Sequence, residues 1–202
     1  MENESTTKTG KSESIMNQNE APPKSRILVP FIAALIASLL AVAAFFFPYI
    51  SSTEEYGRYL ELQGDEQAIA SVGVTYRDMK NLSLFEYSKI YFYGAKEIRM
   101  DEAAGIFYGV LISVIGVLSF LVLLAVLRKK PILIFVLNAM LGGLCYSLNW
   151  DFTDRGIMPD SNRIWGISYY MLYVCVAVIA LSAIWMFVEK RKVKKAGRGG
   201  AV

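Results

Sequence analysis

The sequence predicts an all-α membrane protein: a four-transmembrane-helix bundle with N and C termini cytoplasmic, and a small, mostly helical extracytoplasmic cap between helices 1 and 2. Three observations predict it. Hydrophobic residues make up 54% of the 202-residue chain and its mean hydropathy is positive, too apolar a balance for an ordinary water-soluble domain. Four windows, 27–50, 105–127, 131–150 and 164–188, contain no Asp, Glu, Lys or Arg. Each reaches the length of about 20 residues that a helix rising about 1.5 Å per residue needs to cross about 30 Å of hydrocarbon. Charge is also unevenly shared between alternate segments. The two tails and the "RKK" link at 128–130 hold 13 Lys and Arg against 5 Asp and Glu, whereas the other two loops hold 8 against 13. The basic side marks the cytoplasm.

Each element follows in order. Residues 1–25 are Ser/Thr/Asn/Glu/Lys-rich, too polar to bury a core, and read as a disordered cytoplasmic tail. Residues 26–188 form the membrane domain. Span one, 27–50, carries Pro30 in its first turn, where a missing N–H costs little. An A-x-A pattern at Ala41, Val42 and Ala43 raises the alternative of a cleaved signal, but the apolar run continues through "AFFFPYI", longer than a signal core, so the segment is expected to stay.

The loop 51–104 is expected to be an extracytoplasmic cap of two or three short helices. Ser52 with Glu55, Thr75 with Asp78 and Ser83 with Glu86 have capping-box spacing. Over residues 84–98, Leu84, Tyr87, Tyr91, Ala95 and Ile98 share one helical face, opposite Glu86, Lys89, Tyr93, Lys96 and Glu97. Glu86 and Lys89 are spaced for an ion pair, and Gly94 weakens the helix by about 1 kcal/mol relative to Ala. Asp101 is placed to N-cap span two, with Glu102 at its positive end. The three-residue link 128–130 makes spans two and three antiparallel neighbours, with Pro131 starting the third. Residues 151–163 read as turn, and 189–202 as a basic cytoplasmic tail.

Several chemistries lack their parts. The chain has no histidine, which removes the usual general base near neutral pH and the commonest metal ligand. No carboxylate lies within a span, which leaves proton-driven transport and intramembrane aspartyl proteolysis without working groups. Cys145 and Cys175 sit about 10 Å apart in depth at the helical rise, beyond the about 7 Å that a disulfide allows between Cα atoms, so both are expected to be free. No phosphate loop or metal cluster is visible, and no cofactor is expected.

The remaining side chains suggest contacts. Gly105, Gly109 and Ser113 on span two, and Ala139, Gly143 and Ser147 on span three, form small-x-x-x-small steps for helix packing. Asn138, Ser119 and Ser182 are placed to hydrogen-bond between helices, and Trp165 and Trp185 to anchor span four at the two interfaces. Lys190, Arg191, Lys192, Lys194 and Lys195 abut a span, and so read as contacts to anionic lipid rather than to nucleic acid. Tyr56, Tyr59, Tyr76, Tyr87, Tyr91 and Tyr93 in the cap are candidate contacts to a protein partner, where tyrosine is enriched; packing and headgroup contact are the competing role.

This topology resembles that of claudins and other four-span proteins. Loop 51–104 holds neither cysteine nor tryptophan, so the claudin loop signature is missing and no family follows. The expected function is that of a non-enzymatic multi-pass protein of the cell membrane. It would act as an accessory or scaffold subunit touching a membrane-protein partner, or itself, through the cap and helix faces, with lipid as its other partner and neither nucleic acid nor metal. The alternative is a small transporter or channel component active as an oligomer. An enzyme using only hydroxyls and loop carboxylates ranks third.

Overall fold

The computed structural model of the chain describes residues 23–156, 158 and 160–199, with side chains over 27–156, 158 and 160–194. The expected disordered tail therefore lies largely outside the described residues, as does the side chain of Lys195. The fold is mostly helical, and four of its helices are long and apolar enough to cross a membrane: α1 (Pro23–Ala44), α4 (Glu102–Leu127), α5 (Pro131–Asp154) and α6 (Ile167–Gly199). Only 28–39% of each apolar window is buried in the protein. The outward faces stay apolar too, with Leu28, Ile36, Phe107, Phe120, Ile132 and Leu181 all about half exposed or more. A continuous outward band of this kind suits lipid; in water it would be an extreme exposed patch.

The inward faces follow a coiled-coil rhythm. On α5 the buried residues are Ile134, Asn138, Leu141, Cys145, Leu148 and Phe152, spaced four and three in alternation. On α6, Leu172, Cys175, Ile179 and Met186 keep the same seam, opposite Ile115 and Val122 of α4 and Ala34 and Ala41 of α1. Such a repeat favours left-handed packing near +20°. Both cysteines are buried and free. The Asn138 side-chain amide donates to the Val176 carbonyl at 2.9 Å and so ties α5 to α6, while Ser119 bonds only within its own helix, to Ile115 O.

The helix ends depart from the sequence reading in two places. The helix α1 begins at Pro23, so Pro30 is not in the first turn but inside the helix, where its missing N–H removes one backbone bond. At the other end α1 stops at Ala44 rather than running to residue 50. Pro48 has no N–H to continue a helix and pushes Phe47 toward extended backbone, so the apolar run leaves the helix although its hydropathy does not change.

After α1 the chain enters β1 (Pro48–Ser52), and segment 51–104, expected to be mostly helical, holds short strands between its helices. The elements that follow are α2 (Glu54–Gln63), β2 (Gln67–Ile69), β3 (Val74–Thr75), β4 (Asn81–Ser83) and α3 (Leu84–Tyr93). One further strand, β5 (Arg163–Trp165), lies between α5 and α6. Strand β1 is the centre of an antiparallel sheet ordered β4-β1-β5, pairing Ile50 with Leu82 on one side and with Trp165 on the other. Strands β2 and β3 form a small hairpin. The sheet joins segments far apart in sequence, and each strand is too short to show alternation. Gly166, just after β5, is required by this pairing: its N–H donates to Tyr49 O at 2.8 Å, and an added Cβ would fall 2.3 Å from Pro48 O.

Local capping signals fared unevenly. The Ser83–Glu86 capping box forms, with Glu86 N–H donating to Ser83 Oγ at 3.2 Å and Ser83 N–H donating to Glu86 Oε2 at 2.8 Å. Asp101 Oδ1 caps α4 by accepting from Ala103 and Ala104 N–H. Thr75 and Asp78 bond reciprocally, but over a single 3-10 turn. Ser52 does not cap α2: the N-cap is Thr53, and Ser52 Oγ is buried without a partner. Among the described residues Lys89 pairs with no carboxylate; its ammonium lies 5.9 Å from the Phe85 ring. Helix α3 ends at Tyr93, with Gly94 closing it, and Ile98 is left 38% exposed.

Candidate functional site

The cap is built onto the helix ends through α3. Leu84, Tyr87, Tyr91 and Ala95 are buried; Tyr87 packs on Phe152 of α5, while Ser88, Tyr91, Phe92 and Ala95 meet the N-terminal half of α4. Ser88 Oγ and Ser113 Oγ are 2.8 Å apart. A Cβ on Gly109 would fall 2.9 Å from the Phe92 ring, and one on Gly105 would fall 2.6 Å from both Ala95 Cβ and Tyr91 O. As α3 residues rise in number their α4 partners fall, so the two helices are antiparallel. The small face of Gly105, Gly109 and Ser113 is thus filled by a cap helix rather than by another span. The similar step on α5 has no occupant: Ala139, Gly143 and Ser147 are all exposed, and a Cβ on Gly143 would meet nothing within 4 Å. Those three do not pack within the bundle, because the α5 seam runs through Asn138, Leu141, Cys145 and Leu148 instead.

The cap tyrosines divide into two groups. Tyr87 and Tyr91 are 6% and 3% exposed, which removes them from any surface offered to a partner. They belong to a continuous aromatic chain at the junction of cap and spans. It runs from Tyr173 to Tyr169, to Tyr49, to Phe152, to Tyr87, to Tyr91 and to Tyr108, with neighbouring ring centroids 5.0–6.5 Å apart. Trp165 joins it by stacking on Tyr169 at 4.5 Å. That residue lies on β5 inside the aromatic junction, rather than on the helix as a simple interface anchor; Trp185 is half exposed on α6.

Polar bonds fix the same junction. Arg163 Nη1 donates to Tyr87 Oη at 3.1 Å, Tyr108 Oη donates to Asp151 Oδ1 at 3.3 Å, and Arg155 pairs with Asp151 while lying 4.2 Å over the Tyr108 ring. Burial pushes the Tyr87 hydroxyl up to about 12 and raises that of Tyr91, so both stay neutral donors and acceptors at any ordinary pH.

The other tyrosines face outward. Tyr56 and Tyr59 stack on α2 with centroids 6.0 Å apart; Tyr59 is 52% exposed, and Leu62, one turn on, is 87% exposed. Gly57 and Leu60 form the opposite, buried face of α2. Tyr56 also borders a polar notch with Asp160, Asn162 and Arg163, where Thr53 N–H donates to Asn162 O at 2.7 Å. Tyr93 is 71% exposed at the end of α3, and Tyr76 is half-buried near the hairpin. Leu62 was not singled out from the sequence, since a leucine near a helix end reads equally well as core.

Carboxylates of the cap are engaged in holding it together. Glu97 accepts from Ala70 N–H at 2.8 Å and Ser71 N–H at 2.9 Å, and its hydrogen bonds from Ser71 and Ala70 hold its carboxyl below the usual range. The Lys80 ammonium beside Glu61 does the same for that carboxyl. Among the described residues no group of three or more Cys, Asp or Glu is placed to hold a metal.

At the opposite end of the long helices the basic residues converge. The turn 128–130 and the α6 extension meet where Lys190 Nζ donates to Lys129 O; Lys129 Nζ lies 4.6 Å over Phe31, and Arg191 lies 4.4 Å over Phe187. Lys192 pairs with Glu189 at 2.9 Å, and Lys194 is exposed. The basic segment expected to be a tail is thus a continuation of α6 to Gly199.

Compared with known proteins, the chain matches no family model, no curated protein and no solved structure.

Proposed function

We propose that this chain is a non-enzymatic, multi-pass protein of the cell membrane, an accessory or scaffold subunit with both termini in the cytoplasm. Its extracytoplasmic cap offers α2 to a membrane-protein partner. The observation that carries the reading is the exposed apolar stripe of Tyr59 and Leu62, backed by the Tyr56 ring, on a helix whose other face is buried. Aromatic and aliphatic side chains held on a rigid helix are the usual anchors of protein contacts, and a leucine 87% exposed outside the apolar span windows gains nothing from lipid or from the core. The orientation rests on the Lys and Arg excess at the end that carries the 128–130 turn.

Photo-crosslinking residues placed at Tyr59 and Leu62, in whole cells, test the contact. Capture of one distinct membrane protein from both positions, and not from a position on the buried α2 face, is the expected outcome. Capture of the chain itself would assign the stripe to self-assembly. Solute flux by the purified, reconstituted protein would replace the accessory role with the transporter or channel one. Reporter fusions at either terminus that face outward would reverse the orientation.

A further inference from the structure

We infer that the basic end of the molecule holds a discrete site for one anionic phospholipid, with an acyl chain in a crevice between α5 and α6 and the phosphate on Lys130 and Arg191. The inference rests on the membrane reading above only in placing this end at a bilayer surface; it holds for either orientation. The crevice has a volume of about 230 Å³ and is lined by Pro131, Ile132, Phe135, Ala183, Ile184 and Phe187, without a polar side chain among them. It is open to the lipid side, where Ile132 and Ile184 are 66% and 49% exposed. A water-filled slot of this lining would be unfavourable, and a hydrocarbon chain is the occupant its medium supplies.

Charge decides which lipid. Lys130 immediately precedes Pro131 at the mouth of the crevice, and Arg191 is held over the ring of Phe187, which is itself part of the wall. Three other cations at this end have partners of their own: Lys190 donates to Lys129 O, Lys129 lies over Phe31, and Lys192 is paired with Glu189; Arg128 and Lys194 are exposed and border no lining residue of the crevice in sequence. Among the described residues neither Lys130 nor Arg191 pairs with a carboxylate, and the nearby acid, Glu189, is already engaged. A guanidinium held over Phe187 and an exposed lysine next to Pro131, both bordering an apolar slot, match a phosphate ester with its chain in the slot. A free anion would satisfy the charges but not the slot; a zwitterionic lipid would fill the slot but bring its own cation.

The test uses the full chain in nanodiscs made from an equal mixture of phosphatidylglycerol and phosphatidylcholine, with retained lipid counted by native mass spectrometry. One phosphatidylglycerol per chain is expected to be kept preferentially. Lys130→Gln and Arg191→Gln should each lower its retention about five-fold, from about 1 kcal/mol per basic residue at a lipid surface. Lys194→Gln, the same charge change one turn further from the crevice, should do so less than two-fold. Ile184→Trp, at a half-exposed position that tolerates bulk, should lower retention with no change in charge. Equal retention of both lipids, equal effects of Arg191→Gln and Lys194→Gln, or indifference to Ile184→Trp would each overturn the site in favour of diffuse surface attraction. Complete displacement of the lipid by inorganic phosphate would overturn it in favour of a simple anion site. A chain that fails to enter nanodiscs at all would instead refute the membrane reading beneath it.

Discussion

Gly105 and Gly143 each belong to a small-x-x-x-small step, yet the structure predicts opposite responses to the same substitution. In a helix interior Gly→Ala ordinarily stabilises by about 1 kcal/mol, because alanine has less backbone freedom to lose. At Gly143 nothing lies within 4 Å of the new methyl, so Gly143→Ala should realise that gain, up to about 1 kcal/mol. At Gly105 the methyl would stand 2.6 Å from Tyr91 O and from Ala95 Cβ, neither of which is the end of a flexible side chain. Helix α3 must then move off α4, with a cost of about 1–3 kcal/mol typical of overpacking. Set against the propensity gain, Gly105→Ala should destabilise by up to about 2 kcal/mol net. Ala95→Gly in the same chain relieves one of the two clashes and should recover only part. Urea unfolding in mild detergent, followed by Tyr and Trp fluorescence and by protease cleavage between 95 and 101, would measure both the stability and the seat of the change. A Gly105→Ala as stabilising as Gly143→Ala, or a Gly143→Ala as harmful as Gly105→Ala, would refute the packing of α3 on α4 described above.

Further outcomes follow from the same contacts. The Glu61 and Glu97 carboxyls are held low in the folded cap by Lys80 and by the Ser71 hydrogen bonds, so their contribution is full above the unfolded carboxyl value of about 4.3 and is lost as pH falls through the lower folded values. Acidification below about pH 4 should therefore release the Ala70 and Ser71 amides first, read by amide exchange with pH-corrected intrinsic rates. Arg99 holds φ 56° in the left-handed region, so Arg99→Gly should stabilise by about 0.5 kcal/mol in thermal unfolding, where an ordinary exposed turn residue would lose stability. Tyr87→Phe removes the acceptor for Arg163 and should cost about 1 kcal/mol, with faster amide exchange in β5 than in α2.

The four long apolar helices were legible because the absence of charge over about 20 residues leaves few readings other than a helix long enough to cross a bilayer. Their ends were legible only where a side chain marks them. Asp101 and Pro131 do so unambiguously, whereas the stop at Ala44 depended on giving Pro48 more weight than the apolar residues around it. The sheet was not legible, because Ile50 pairs with Leu82 and Trp165 across long stretches of chain and no strand is long enough to carry a period. The amphipathic face of α3 was visible at Leu84, Tyr87 and Tyr91, but periodicity says that a face is buried and not what buries it. That missing information decided the candidate site, since the same pattern fits tyrosines offered to a partner and tyrosines packed on α4. The α5 seam, by contrast, was present in the spacing of Asn138, Leu141, Cys145 and Leu148; Ala139, Gly143 and Ser147, one or two residues away, mark a different face that is exposed.

The cap is therefore two structures joined at β1. Its inner part, β1, β4, β5 and α3, shares one hydrophobic core with the long helices through Tyr49, Ile50, Leu82, Leu84 and Phe152, and cannot leave without exposing them. Its outer part, α2 and the β2–β3 hairpin, reaches that core only through Ile69 and Val74, buries Leu60 besides, and is tied down by exposed pairs such as Lys80–Glu61 and Arg77–Asp65 that contribute little in water. A surface offered to a partner gains from being rigid, since less entropy is lost on contact. Gly57 and Leu60 supply that rigidity by burying one side of α2, which leaves Leu62 and Tyr59 exposed on the other, Tyr59 stacked on Tyr56. The stripe is consequently the part of the cap whose replacement by serine should leave the fold in place while removing the contact, and this separates a binding surface from one more piece of core.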